Sequence, residues 1–253
     1  MNKLITKFVV FTTPRTGSSL LVKTLDSHPE IFCAGELFFL KGNIYHNETR
    51  YQFWKFPVGS KLNYIINYVK LFFTLTDFLN KFYKTDDASI KTKGFKLMLF
   101  QTFYIPGIFR YLKKHDVKVI VLIRKNILRN TLSDLRSRST KVYHNEGDVA
   151  TITIPKFRVD VNALRKKMKQ IESFNKQLIS STTNLKRKII CYEDFENWEE
   201  IIADVLKYLH VEDVPLDAAS KKLNPLDLED MISNYKEVEQ WIIENGYSKY
   251  LNS

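Results

Sequence analysis

Cysteine is scarce. Two residues in 253, Cys33 and Cys191, are too few and too far apart for a disulfide framework or a thiolate metal site. Each falls in or beside an apolar strand-like segment, so both are expected as buried free thiols. A secretory signal is also missing: "MNKLITKFVVFTT" carries two lysines, but its apolar run is short and no small-residue cleavage site follows. The expected location is cytoplasmic. No apolar run reaches membrane length either. The nearest, "NYVKLFFTLTDFLNKFY", is interrupted by Lys70, Asp77 and Lys81, so residues 61 to 84 are expected to form a core-facing helix. Repeats, low-complexity tracts and linkers are absent, and the length suits a single domain spanning residues 1–253.

Acidic side chains are in deficit, with 28 Asp and Glu against 39 Lys and Arg and a net charge of +11. That balance implies an anionic partner: nucleic acid, a membrane surface or a small polyanionic ligand. Charge alone does not choose among them.

What the chain does have is an alternation of strand and helix patterns. Strand candidates are the run Phe8 to Phe11, "EIFCAGELFF", "KGFKLMLF", "VKVIVLIRKN" and "RKIICYED". Between and after them come the helical stretches "YIPGIFRYLKKHD", "ILRNTLSDLRSRS", "VDVNALRKKMKQIESFNKQLIS", "FENWEEIIADVLKYLHV" and a terminal helix. Such alternation predicts βαβ units, hence an α/β fold of three layers, α/β/α, around a mostly parallel sheet.

The segment "FVVFTTPRTGSSLL", residues 8 to 21, reads as strand, loop, helix. A loop entering a helix exposes backbone N–H groups without helical partners, and the helix dipole adds partial positive charge. Gly17 permits a backbone conformation closed to other residues, Ser18 and Ser19 offer hydroxyls, and Arg15 brings a guanidinium fork suited to phosphate or sulfate. The plainer alternative is a strand-helix turn with serine at the N-cap.

The nucleoside triphosphatase loop, G-x-x-x-x-G-K-S/T, is not met: one glycine is present, no lysine follows it, and arginine precedes it. The buried strand "VIVLIRKN" ends in Arg124 and Lys125, where a magnesium-binding strand would end in aspartate. A phosphorylated ligand held without metal needs protein cations, and Arg15, Arg124 and Lys125 are candidates. Ser133, on the helix after Arg124, offers a hydroxyl to a second phosphate. Ligands of α/β sheets sit at the carboxyl ends of strands, so the Arg15 loop and Arg124 share one crevice if their strands are neighbours.

"TTPRTGSSLLVKTLDSHPEIFCAGELF", "KGFKLM" and "LIRKNILRNTLS" together resemble the sulfotransferases that use 3′-phosphoadenosine 5′-phosphosulfate (PAPS), most closely the bacterial carbohydrate enzymes of the trehalose and nodulation-factor type. Weaker similarity continues through "CYEDF" and "NPLDLEDMISNYKEVE". The resemblance implies a P-loop-like fold in which Arg15, Thr16, Gly17, Ser18 and Ser19 bind the 5′-phosphosulfate. It implies further that Arg124 and Ser133 bind the 3′-phosphate, that Glu36 is the general base, and that no metal takes part. Many members carry lysine at the position of Arg15, whose catalytic role is therefore carried over by charge and position. The spacing from Arg124 to Ser133 is one longer than in the hormone-type enzymes, which leaves Lys125 as a second candidate for the 3′-phosphate. Those enzymes use a histidine base, and no histidine stands at the end of "GFKLM".

The reaction implied is in-line transfer of a sulfuryl group to a hydroxyl of a carbohydrate or glycolipid. For Glu36 the alternative is a strand-end carboxylate paired with a neighbouring cation. For Lys96 the alternatives are an acceptor-pocket residue or a structural ion pair. Tyr45, Phe53 and Trp54 are candidates for stacking on a sugar. Two other functions compete: a P-loop kinase acting on a small molecule, and a nucleic-acid binder using the basic helix 160 to 184.

Overall fold

The computed structural model describes residues 5–38, 73–105, 107–140, 156–218 and 227–251. The chain clusters into two compact units, Met1–Ile123 with Gln177–Ala219, and Arg124–Lys176 with Ser220–Ser253.

The first unit holds the sheet. Five strands, β1 (Thr6–Thr12), β2 (Ile31–Glu36), β3 (Thr92–Met98), β4 (Lys118–Ile123) and β5 (Arg187–Cys191), lie in the order β2-β3-β1-β4-β5, and every pairing is parallel. The expected α/β fold is present, with a sheet that is wholly parallel among the described residues. Strands buried on both faces must be apolar throughout, and residues 8–11 of β1 and 119–122 of β4 are fully buried.

On one face, α1 (Ser18–Asp26) and α7 (Trp198–Leu209) pack Leu21, Leu25, Ile202, Val205, Leu206 and Leu209 against Phe8, Val10, Ile120 and Leu122. The α7 residues recur at i, i+3, i+4 and i+7, the spacing that aligns side chains along one helical stripe. Burial of each such side chain contributes roughly 1.5–3 kcal/mol. The opposite face is aromatic. Phe82 of α2 (described over 73–82) meets Phe95 with ring centroids 5.6 Å apart, and Phe109 of α4 (Ile108–Lys114) meets Phe11 at 5.6 Å. Within α2, Leu75, Leu79 and Phe82 are fully buried, so this part of the stretch 61 to 84 is the core-facing helix expected. Among the described residues no helix is long and apolar enough to cross a membrane. β5 lies at the edge of the sheet and leaves Ile189 42% exposed. Cys33 and Cys191 are free and buried, as expected.

The second unit is helical. α5 (Ile127–Thr140), the part of α6 (Val161–Ser181) up to Lys176, α8 (Leu228–Met231) and α9 (Tyr235–Glu244) enclose Leu128, Leu132, Leu164, Met168, Ile232 and Ile242. Asn126 starts α5: its Oδ1 accepts the Arg129 N–H at 2.8 Å, and its Nδ2 donates to the Tyr250 carbonyl at 3.2 Å. One side chain thus caps a helix and ties down the C-terminal segment.

Candidate active site

The loop from β1 to α1 is held by a chain of hydroxyls. Thr12 Oγ1 donates to the Leu122 carbonyl at 2.8 Å and stands 2.6 Å from Thr16 Oγ1. Thr16 Oγ1 is also within donating distance of the Thr13 carbonyl at 3.0 Å, so the two hydroxyls and the two carbonyls form one connected cluster in which each hydroxyl has a single proton to donate. The loop is therefore fastened to β4 as well as to its own strand. Two of its residues adopt left-handed backbone, Arg15 at φ 66° and Gly17 at φ 79°. For arginine this conformation costs about 1–3 kcal/mol, and strain of this kind gathers at binding sites.

Gly17, not a serine, is the N-cap of α1; it makes no side-chain cap bond, and the first turn holds no acidic residue. The plainer reading of this loop, a serine-capped turn, is thus not what is found. The start of α1 thus carries neither a side-chain cap nor an acidic residue of its own, which suits an anion. Thr13 adds to this. Its Oγ1 is buried and has no hydrogen-bond partner, and buried hydroxyls are normally partnered.

Glu36 ends β2, and its neighbour across the sheet was not legible in the sequence. Pairing of Ala34 with Phe95 would put Gly35 opposite Lys96, but the register shifts by one and places Glu36 there instead. A bulge of this kind re-aims a side chain. As a result Glu36 Oε1 lies 3.1 Å from Lys96 Nζ, with the two side chains 20% and 13% exposed. Lys96 Nζ is also 3.5 Å from Ser19 Oγ, so one ammonium stands between the carboxylate and the first turn of α1. On its other side Glu36 Oε2 accepts from Gln101 Nε2 at 2.9 Å. Gln101 is 1% exposed and lies on α3 (Leu99–Thr102), and its Oε1 accepts the Met98 N–H at 2.9 Å.

Arg15, Thr16, Gly17, Ser18, Ser19 and Glu36 thus belong to the first unit, where the Lys96 contact links Ser19 to Glu36. Arg124 and Ser133 belong to the second, both half-buried, and Lys125 there is exposed. The Arg124 carbonyl accepts from Asn175 Nδ2 at 3.0 Å. Tyr45, Phe53 and Trp54 lie outside the described residues. Of the two alternatives open for Lys96, the structure shows the ion pair, and it shows Glu36 paired with a cation. Thr12, Thr13 and Gln101 were missed. Gln101 had a signal, a glutamine at the third position of a helix, where such side chains reach back to a backbone N–H.

β1 and β4 are neighbours whose following connections run to opposite sides of the sheet, β1 toward β2 and β4 toward β5. That is the position at which open α/β sheets bind ligands. Among the described residues no cluster of His, Cys, Asp or Glu is suited to hold a metal ion.

No family model matches the chain, and no curated protein sequence matches it. Among solved structures, a sulfotransferase from Alicyclobacillus acidocaldarius resembles it with a TM-score of 0.52 at 12% identity, covering 99% of this chain and 94% of that one. At this identity the likeness is one of fold.

Proposed function

We propose that the protein is a PAPS-dependent sulfotransferase that acts on a hydroxyl of a carbohydrate or glycolipid, with residues 1–253 serving as one catalytic domain. The observation that carries this reading is the meeting of Glu36, Lys96 and Ser19, which puts a carboxylate and an ammonium beside an uncapped helix start. An anion loop alone fits many nucleotides. An adjacent base is what hydroxyl sulfation requires in addition.

The donor fits the residues present. Arg15 and the backbone from Thr16 to Ser19 hold the 5′-phosphosulfate, and the orphan hydroxyl of Thr13 finds its partner there. Arg124, which follows the last residue of β4 directly in the chain, holds the 3′-phosphate with Ser133. The acceptor hydroxyl attacks sulfur in line with departure of the 5′-phosphate, and its proton passes to Glu36. Arg15 and the N–H groups of α1 stabilise the negative charge that gathers on the leaving and sulfonate oxygens.

Calorimetric titration with adenosine 3′,5′-bisphosphate tests the cradle. Arg15→Ala and Ser133→Ala should each weaken binding by about tenfold or more, the value of a lost hydrogen bond to a charged group. Unchanged affinity in both would dismiss the assignment. A magnesium-dependent preference for ATP would identify a P-loop kinase instead.

A further inference from the structure

We propose that Lys96 is a shared cation: it rests on Glu36 while the loop is empty and passes to the anion when the loop fills, so that the base is released only once the donor is bound. The inference rests on the sulfotransferase reading above and adds an order of events to it.

Both carboxylate oxygens of Glu36 are engaged, Oε2 by Gln101 at 2.9 Å and Oε1 by Lys96 at 3.1 Å. The two partners are not equally free to leave. Gln101 is buried, and its Oε1 is committed to the Met98 N–H at 2.9 Å. This fixes which end of the amide faces Glu36. Its Nε2 is therefore a permanent donor, and it orients the carboxylate. Lys96 ends a flexible four-carbon stem with three rotatable donors.

Lys96 covers Oε1 while Gln101 holds Oε2, so neither carboxylate oxygen is open to an acceptor hydroxyl as the site stands. The acceptor reaches Oε1 only after the ammonium has withdrawn. The place to which Lys96 can withdraw is already within reach, since its Nζ stands 3.5 Å from Ser19 Oγ. Ser19 is the second residue of α1, in the turn whose N–H groups lack helical partners. A doubly charged phosphosulfate held there outbids a single carboxylate for the ammonium, and a change of rotamer suffices to move it.

The chemical step then balances. The acceptor O–H bond breaks and its proton goes to the vacated Glu36 oxygen. The acceptor oxygen bonds to sulfur, and the bond from sulfur to the 5′-phosphate oxygen breaks with its electron pair on the phosphate. Lys96 is by then placed to neutralise that phosphate. When the nucleotide leaves, Glu36 gives its proton to solvent and Lys96 returns.

Crystal structures of the wild-type chain, alone and with adenosine 3′,5′-bisphosphate, test the transfer directly. The expected result is Lys96 Nζ on Glu36 in the first and on a 5′-phosphate oxygen in the second. Lys96 still on Glu36 with nucleotide bound overturns the proposal. Binding supplies an independent measurement. Comparing Glu36→Gln with the double variant Glu36→Gln/Lys96→Met removes direct repulsion by the carboxylate from the comparison. Loss of Lys96 in that background should weaken the nucleotide about tenfold, and equal affinities refute the shared cation. Failure of the wild type to bind the nucleotide at all is a different outcome, which removes the donor assignment itself and this inference with it.

Discussion

Gly17 and Tyr192 approach so closely that a Cβ on Gly17 would lie 2.7 Å from Tyr192 Cδ2. The 3₁₀ turn that follows β5, Tyr192–Asn197, thus packs its first ring against the loop between β1 and α1, and Tyr192 is held in turn by Phe195 with ring centroids 5.6 Å apart. Gly17 is required twice, for its φ of 79° and for its missing side chain. Gly17→Ala should cost about 1–2 kcal/mol from the backbone alone, and displacement of Tyr192 adds to it. The expected outcome is a lower midpoint in urea unfolding together with loss of nucleotide binding. A variant that binds normally would show that the loop need not keep this shape.

Thr12 is a second point of attachment. Thr12→Val keeps the volume but removes the hydroxyl that joins Thr16 to the Leu122 carbonyl. Leaving these buried groups short of a partner should cost about 1–3 kcal/mol. Because the loss falls on the loop, nucleotide affinity should drop along with stability. Calorimetry of the variant, with denaturant unfolding beside it, separates the two effects.

Glu36→Gln keeps a side chain able to accept from Gln101 and lacks a basic oxygen. Nucleotide binding should persist while turnover falls by about 10²–10⁴, the usual worth of a positioned general base. Radiolabelled sulfate transfer measures this once an acceptor is supplied. Normal turnover would remove Glu36 from the role.

Acid sensitivity should have a contribution from His115, far along the chain from the loop. Its ring stacks on Tyr111 with centroids 4.2 Å apart, and its buried Nε2 has no hydrogen-bond partner. Burial, with Lys7 and Lys114 nearby, holds this imidazole below its ordinary pKa. A depressed histidine is bound to fewer protons in the folded chain than in the unfolded one, so stability is complete above about pH 6.5. It declines as pH falls below that value, until the folded-state ring also protonates. Urea midpoints measured from pH 8 to 5 should fall less steeply for His115→Gln than for wild type. Parallel curves would exclude the histidine.

Much of this architecture was readable before any coordinates, because its cause is local. β-Branched and aromatic runs such as residues 118–123 bury on both faces of a parallel sheet, and a Gly-Ser-Ser step after a strand opens a helix whichever neighbours it has. The loop between β1 and α1 is of this kind: its N–H groups and its left-handed glycine are properties of a few consecutive residues. The partner of Glu36 is not. It depends on a one-residue slip between two strands that are separated by more than fifty positions in the chain. No periodicity in either strand announces that slip, and without it Gly35 would face Lys96. The same holds for the contacts of Gly17 with Tyr192 and of Thr12 with Leu122. Local sequence therefore specified which segments become strands, helices and the glycine turn between β1 and α1. Tertiary packing alone determined which cation meets the carboxylate, because that contact is made between strands whose relative register no single segment encodes.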